Sequence, residues 1–256
     1  MTAGSGASPA LVCIPFAGAG ASFYRPWQQL AGPAMPVVPL QLPGREWRLS
    51  EKPCRTVAEA VAALLPEAVE AVDQHGEVAL FGHSLGAVIA YELAHRLGES
   101  YGDVVARLVV SGSPAPWSGR VERAGTLADD EFLGRVEEFA GYTHEALTDP
   151  EMRELILPTL RADVRMHEEY QPSFTDPIEA PVTAVRGLQD HLVSLSDVAA
   201  WGSATRAGFA VKEFDGGHMY LVDQAPALLR AIAASLPASS RRESPAPEEV
   251  TGYAAG

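Results

Sequence analysis

Val78-Ala79-Leu80-Phe81-Gly82-His83-Ser84-Leu85-Gly86-Ala87-Val88-Ile89-Ala90 is the stretch that decides the fold. Its first four residues form a short apolar run ending at a glycine, the pattern of a buried strand. From Leu85 to Leu97 the pattern becomes helical, with Ala87, Val88, Ala90, Leu93 and Ala94 available for packing. Gly82-His83-Ser84-Leu85-Gly86 lies between the two and fits G-x-S-x-G. A sharp strand-to-helix turn of this kind lifts a serine oxygen above a sheet. Small residues two positions to either side let neighbouring backbone pass close by. The five-residue pattern is weak alone, so the flanking strand and helix carry the weight. Read otherwise, Ser84 is only an N-cap serine. Read with its context, it is a nucleophile at a helix N-terminus, where the helix dipole and free amides favour an oxyanion.

Working outward, further short apolar runs read as strands: Ala10–Ile14, Val37–Leu40, Val105–Ser111, Val182–Arg186 and Phe209–Phe214. Thr56–Val72 and Ala225–Leu236 carry apolar residues at helical spacing. Strands alternating with helices predict a mostly parallel sheet covered on both faces. The alternation breaks between about residues 114 and 174. No strand is legible there, and amphipathic helices are predicted at Asp129–Phe139, Pro150–Leu160 and Ala162–Tyr170. Asp129 or Asp130 could cap the first of these, and Asp149 before Pro150 starts the second. A crossover needs only one helix, so this region reads as an inserted helical lid. The expected organisation is a flexible N-terminus over 1–9, one domain over 10–236 and a disordered tail over 237–256.

A serine hydroxyl needs a base, and in this architecture the acid and base follow the serine in chain order, on loops after later strands. Gly187-Leu188-Gln189-Asp190 follows one strand, and Asp215-Gly216-Gly217-His218 follows the next. Asp190 and His218 therefore fall where an acid and a base belong. Two glycines permit the tight loop that aims His218. Asp215 is the rival acid, but it sits too near His218 in sequence to face it. His83 is expected to point away from Ser84. His75, His95 and His144 are expected to be solvated, His191 precedes the last strand, and His167 could face a substrate. The second half of an oxyanion hole belongs to the loop after the first strand, Pro15-Phe16-Ala17-Gly18-Ala19-Gly20. The amides of Ala17 and Leu85 are the expected donors. Together these features predict an α/β-hydrolase with Ser84, Asp190 and His218 as its catalytic set.

Bulk properties bound the alternatives. The chain has 256 residues, 47% hydrophobic and 20% charged, which is ordinary for one globular domain. A net charge of −14 excludes the basic footprint of a nucleic-acid binder and gives no attraction to anionic membranes. Cys13 and Cys54 are too few for a disulfide framework or a metal cluster. No signal peptide and no membrane-length apolar segment is visible, which predicts a cytoplasmic protein.

Four segments resemble a known family. Ile14-Pro15-Phe16-Ala17-Gly18-Ala19-Gly20-Ala21-Ser22-Phe23-Tyr24, Gln41-Leu42-Pro43-Gly44-Arg45-Glu46, Gly82-His83-Ser84-Leu85-Gly86-Ala87 and Phe214-Asp215-Gly216-Gly217-His218-Met219-Tyr220-Leu221 resemble a type II thioesterase of polyketide or non-ribosomal peptide biosynthesis. Leu157-Pro158-Thr159-Leu160-Arg161-Ala162-Asp163 and Tyr170 resemble its lid segment. Ala19 departs from the family, which more often has a second glycine there. The resemblance implies a discrete enzyme that clears stalled or aberrant acyl groups from the phosphopantetheine arm of an acyl carrier protein or peptidyl carrier protein. It implies no metal and no cofactor, and a monomer is expected. Met1, just before the first core strand, reads as the start of a stand-alone protein. Arg161 and Arg165 are candidates for carrier docking. The competing reading is a carboxylesterase or lipase-like hydrolase of small acyl esters, with the same catalytic set.

Overall fold

The computed structural model describes residues 8–119, 123–140 and 149–237. The expected tail lies almost wholly outside them, as do most of the expected flexible N-terminus and His144. Six strands form one parallel sheet: β1 (Ala10–Ile14), β2 (Val37–Pro39), β3 (Val78–His83), β4 (Val105–Ser111), β5 (Val182–Gly187) and β6 (Phe209–Phe214). Their order is β2-β1-β3-β4-β5-β6. Successive side chains of a strand face opposite ways, so a sheet covered twice needs apolar residues at every position. Accordingly Ala10, Val12 and Ile14 enter one core with Val78 and Leu80. Leu11 and Cys13 enter the other, with Ala79 and Phe81.

Helices α2 (Val57–His75) and α3 (Leu85–Tyr101) supply the first core. The second is covered by α7 (Ala225–Ala233) together with Trp27 of α1 (Arg25–Ala31). Thr56 caps α2 by accepting the Glu59 N–H at 3.1 Å, so this helix begins one residue later than its periodicity suggests. It runs on to His75 and ends at Gly76, whose φ of 78° suits a glycine.

The excursion between β4 and β5 holds α4 (Asp129–Ala140) and α5 (Pro150–Glu168), while the short α6 (Leu195–Ala199) follows β5. Two helices predicted at Pro150–Leu160 and Ala162–Tyr170 are one continuous helix. Arg161, a good helix former, lies inside it, and its guanidinium reaches out to bond Gly125 O, Leu127 O and Asp129. Asp149 caps α5 with Pro150 in its first turn. Asp129 and Asp130 do not precede α4 as caps; they lie in its first turn, paired with Arg161 and Arg153. The excursion has its own small apolar cluster of Ala124, Phe132, Leu133, Leu157 and Leu160. No described helix is long and apolar enough to cross a membrane.

Parallel register places the carboxyl ends of the strands along one edge. Ile14 lies beside Gly82, His83 beside Ser111, and Gly187 beside Phe214. The loops that follow β1, β3, β4, β5 and β6 therefore meet there, at the edge where open parallel sheets hold ligands.

Candidate active site

Ser84 occupies the tip of the turn between β3 and α3, with φ 52° and ψ −117°. A non-glycine residue rarely adopts this conformation, and the surroundings must hold it there. Its N–H donates to Ser111 O at 2.8 Å, and its carbonyl accepts from Ala87 N–H at 3.0 Å. The glycines have a steric cause. A Cβ on Gly86 would stand 2.6 Å from Ile14 O and 2.9 Å from Pro15 O. A Cβ on Gly82 would overlap the backbone of Gly86. Ser84 is the residue before α3, yet its side chain makes no capping hydrogen bond. That answers the plain N-cap reading of this serine.

His218 Nδ1 lies 2.9 Å from Asp190 Oδ2. The other carboxylate oxygen of Asp190 accepts the Leu192 N–H at 2.9 Å. Burial pushes the Asp190 carboxyl up, but the hydrogen bond and charge of His218, with the Leu192 and Val193 amides, outweigh it and hold the group below its ordinary value. Asp215, the rival acid, is exposed. The loop carrying His218 is tight for a visible reason. A Cβ on Gly187 would collide with the carbonyls of Gly216 and Gly217, and Gly216 has φ 119°.

His83 does not simply point away. It is fully buried beneath the site, with its ring centroid 4.7 Å from that of His218. Its Nδ1 is 2.9 Å from Ser111 Oγ, which is 2.7 Å from the Tyr220 hydroxyl. Sequence reasoning missed this buried polar chain. The signal available was a histidine and a serine ending adjacent apolar strands. His95 is not solvated either, since it stacks on Phe174 at 4.3 Å.

Ser84 and His218 open into one cavity of about 1020 Å³. Its walls include Phe16 and Ala17 from the β1 loop, with Leu155, Ile156 and Leu160 from α5. Mostly apolar walls with a few convergent polar groups are what an acyl chain requires. His167 is buried and lines the same space, with Nε2 3.5 Å from Ser113 Oγ. His191 also lines it but is exposed. The β1 loop turns at Phe16–Ala19, where Ala19 N–H donates to Phe16 O at 3.0 Å. Gly18, third in that turn, has φ 77°, as a type II turn requires. Among the described residues no protein acceptor takes the N–H of Ala17 or of Leu85. Described His, Cys, Asp and Glu residues form no group able to hold a metal ion.

A parallel sheet bearing a strained strand–serine–helix turn, with a buried carboxylate from the loop after β5 on a histidine from the loop after β6, defines an α/β-hydrolase. The sequence matches the family described as Thioesterase domain over residues 9–236. This chain belongs to the thioesterase family and is a hydrolase that acts on thioesters. It is 36% identical over 214 residues to Thioesterase PikA5 of Streptomyces venezuelae, covering 84% of this chain and 76% of that protein. It superimposes with a TM-score of 0.82 on RedJ, the thioesterase from the prodiginine pathway of Streptomyces coelicolor. That match has 33% identity and covers 90% of this chain and 91% of RedJ. A TM-score of 0.82 also relates it to YbtT, a type II thioesterase from the yersiniabactin NRPS/PKS pathway, at 29% identity over 94% of this chain and 98% of that one.

Proposed function

We propose that this chain is a type II thioesterase. It hydrolyses stalled or aberrant acyl groups from the phosphopantetheine arm of carrier proteins in polyketide or non-ribosomal peptide synthesis. It acts as a cytoplasmic monomer, and α4 and α5 are its lid. The observation that carries the mechanism is the opening of Ser84 and the Asp190-bound His218 into one apolar cavity.

The chemistry follows from these positions. Ser84 Oγ attacks the thioester carbonyl carbon while His218 Nε2 takes its proton. Asp190 keeps the imidazole oriented through Nδ1 and stabilises its cationic form. The N–H groups of Ala17 and Leu85 hold the tetrahedral oxyanion, each such donor being worth about 2.7–4 kcal/mol. Collapse breaks the carbon–sulfur bond, and the leaving thiolate takes the proton from His218. A water then gives a proton to the same nitrogen and attacks the acyl-enzyme ester. The acid departs, and the proton returns to Ser84.

The likeness to YbtT, a type II thioesterase of an NRPS/PKS pathway, supports the biosynthetic role. The apolar cavity supports an acyl substrate. Two measurements test the proposal. Replacing Ser84 by Ala should lower acyl-carrier hydrolysis by at least about 10⁴-fold. A panel of acyl-carrier thioesters of varied length should turn over faster than simple oxygen esters. Fast oxygen-ester hydrolysis with untouched acyl-carrier protein would instead identify a carboxylesterase.

A further inference from the structure

The Gln41–Glu46 segment and the Asp on the last turns of α5 take no role in this chemistry, yet they meet beside it. Arg45 and Asp163 lie 118 residues apart in sequence and form a two-pronged ion pair, Nη1 to Oδ2 at 2.6 Å and Nη2 to Oδ1 at 2.8 Å. Both side chains are buried, Asp163 completely. A third segment joins them. Gly18 N–H donates to Asp163 Oδ2 at 2.8 Å, and Arg45 Nη1 donates to Ala19 O at 3.0 Å. The pair thus grips the turn that carries Ala17 from both sides. One turn earlier on α5, Leu160 overlies the same glycine, with Cδ1 2.8 Å from where a Cβ would stand. Neighbouring positions reinforce the loop: Ala21 N–H donates to Gln41 Oε1, and the Ser22 hydroxyl bonds Glu46.

We propose that Arg45 and Asp163 form a latch through which the closed lid helix fixes the oxyanion loop, making Asp163 a positioning residue for the Ala17 amide. This rests on the reading of Ala17 as an oxyanion donor. Fixing the Gly18 N–H direction fixes the peptide that follows Ala17, and the Ala19 N–H bond to Phe16 O closes the turn on its other side, so together they restrict the Ala17 dihedrals that set the heading of its N–H. An apolar pair would hold α5 in place as well as an ion pair does, since buried ion pairs are often no more stabilising than well-packed apolar replacements. An apolar pair could not accept the Gly18 N–H. What the carboxylate adds is therefore position. Withdrawing α5 would also separate a pair of buried charges, so the arrangement resists intermediate openings. Loop and lid then move together, and the oxyanion site is complete only under a closed lid.

The test uses the full chain and hexanoyl-N-acetylcysteamine thioester as probe, with a hexyl trifluoromethyl ketone as tetrahedral analogue. Asp163→Leu should lower kcat at least about tenfold with KM within about twofold, because a misplacement near 1 Å costs up to about 10²-fold. Affinity for the ketone should fall in the same proportion. Asp163→Asn keeps an oxygen for the Gly18 N–H and should recover most of the rate. The double variant Arg45→Met with Asp163→Leu should recover Tm but not kcat. Recovery of kcat together with Tm would overturn the latch and leave the pair a purely structural role. A raised KM with unchanged kcat would overturn it in favour of substrate binding. Ser84→Ala separates the two readings. If that variant still hydrolyses the probe, the serine mechanism fails and takes the latch with it. If it is inactive while Asp163→Leu matches the wild type, the latch alone fails.

Discussion

At Ser84 the chain stores strain, and the residues around it carry the cost. The positive φ is tolerable because Gly82 and Gly86 leave no side chains where the strand, turn and helix converge. Gly86→Ala should therefore destabilise the fold by about 1–3 kcal/mol, the usual penalty for forcing a methylene into filled space. It should also lower kcat, because the carbonyls it would meet belong to Ile14 and Pro15, where the proposed oxyanion loop leaves β1. A denaturant melt paired with a rate measurement checks both. Asp190 yields a pH signature. Its carboxyl is held below its ordinary value in the folded protein, so the unfolded chain binds that proton more tightly. The stability it contributes is complete above the ordinary carboxylate range and is lost as pH falls through the depressed value. Asp190→Asn should lower Tm at neutral pH, and the difference from wild type should shrink below about pH 4. A gap that stays constant down to about pH 3 would refute the assignment. The same variant should lose about 10⁴-fold in kcat, since an amide stabilises the wrong imidazole tautomer. The placing of Ser84, Asp190 and His218 on the loops after β3, β5 and β6 was legible because each follows a strand end within a few residues. Asp163 was not, because an ion pair spanning 118 residues leaves no local pattern. A weak signal existed: an acid on the same helical stripe as Leu157, Leu160 and Val164.

Elements were legible where a local pattern governs them. The strands were readable because burial on both faces demands unbroken apolar runs. Helix α1 escaped notice because it has seven residues, with Pro26 near its start and two glutamines in its middle. The break expected inside α5 is absent. Arg161, named as a docking candidate, stacks over Phe132 at 4.2 Å and bonds two carbonyls of the loop before α4. Arg165 bonds Gly125 O in the same way. Both guanidiniums are thus engaged with the excursion's own backbone, which weakens their candidacy for carrier docking. The excursion returns to the core through Glu92 of α3. Its buried carboxylate accepts the Tyr170 hydroxyl at 2.8 Å and the Ser173 N–H at 2.7 Å. Burial, and then the charge of Glu92, push the Tyr170 hydroxyl well above its ordinary value, so it stays a donor at any working pH. Glu92→Ala leaves both donors without their acceptor and should cost about 1–3 kcal/mol. Tyr170→Phe loses one bond and should cost about 1 kcal/mol. A melt series showing Tyr170→Phe as the more damaging change would contradict this anchor.

Across the whole molecule, stability is divided unequally. Two large apolar clusters sandwich the sheet and join it to α2, α3 and α7. The excursion keeps a third, much smaller cluster of its own, and Ala17 packs against both it and the first. Regions with few buried apolar contacts open locally at lower free energy than the core. The excursion should therefore open as a unit while the sheet remains folded, and Ala17, packed against both clusters, lies where the two meet. Native-state hydrogen exchange checks this directly. Amides of α4 and α5 should exchange together, at a lower opening free energy than those of β3 and α3. Phe132 is fully buried in the small cluster, beneath the Arg161 guanidinium. Removing a buried phenylalanine ring costs about 3–5 kcal/mol where neighbours cannot collapse into the space. Phe132→Ala should therefore strip most protection from α4 and α5 and leave that of β3 and α3 nearly unchanged. Equal loss of protection in the sheet would mean that the excursion and the sheet unfold as one cooperative body. Entry to the acyl cavity would then need a motion smaller than local unfolding, such as side-chain rearrangement at its rim.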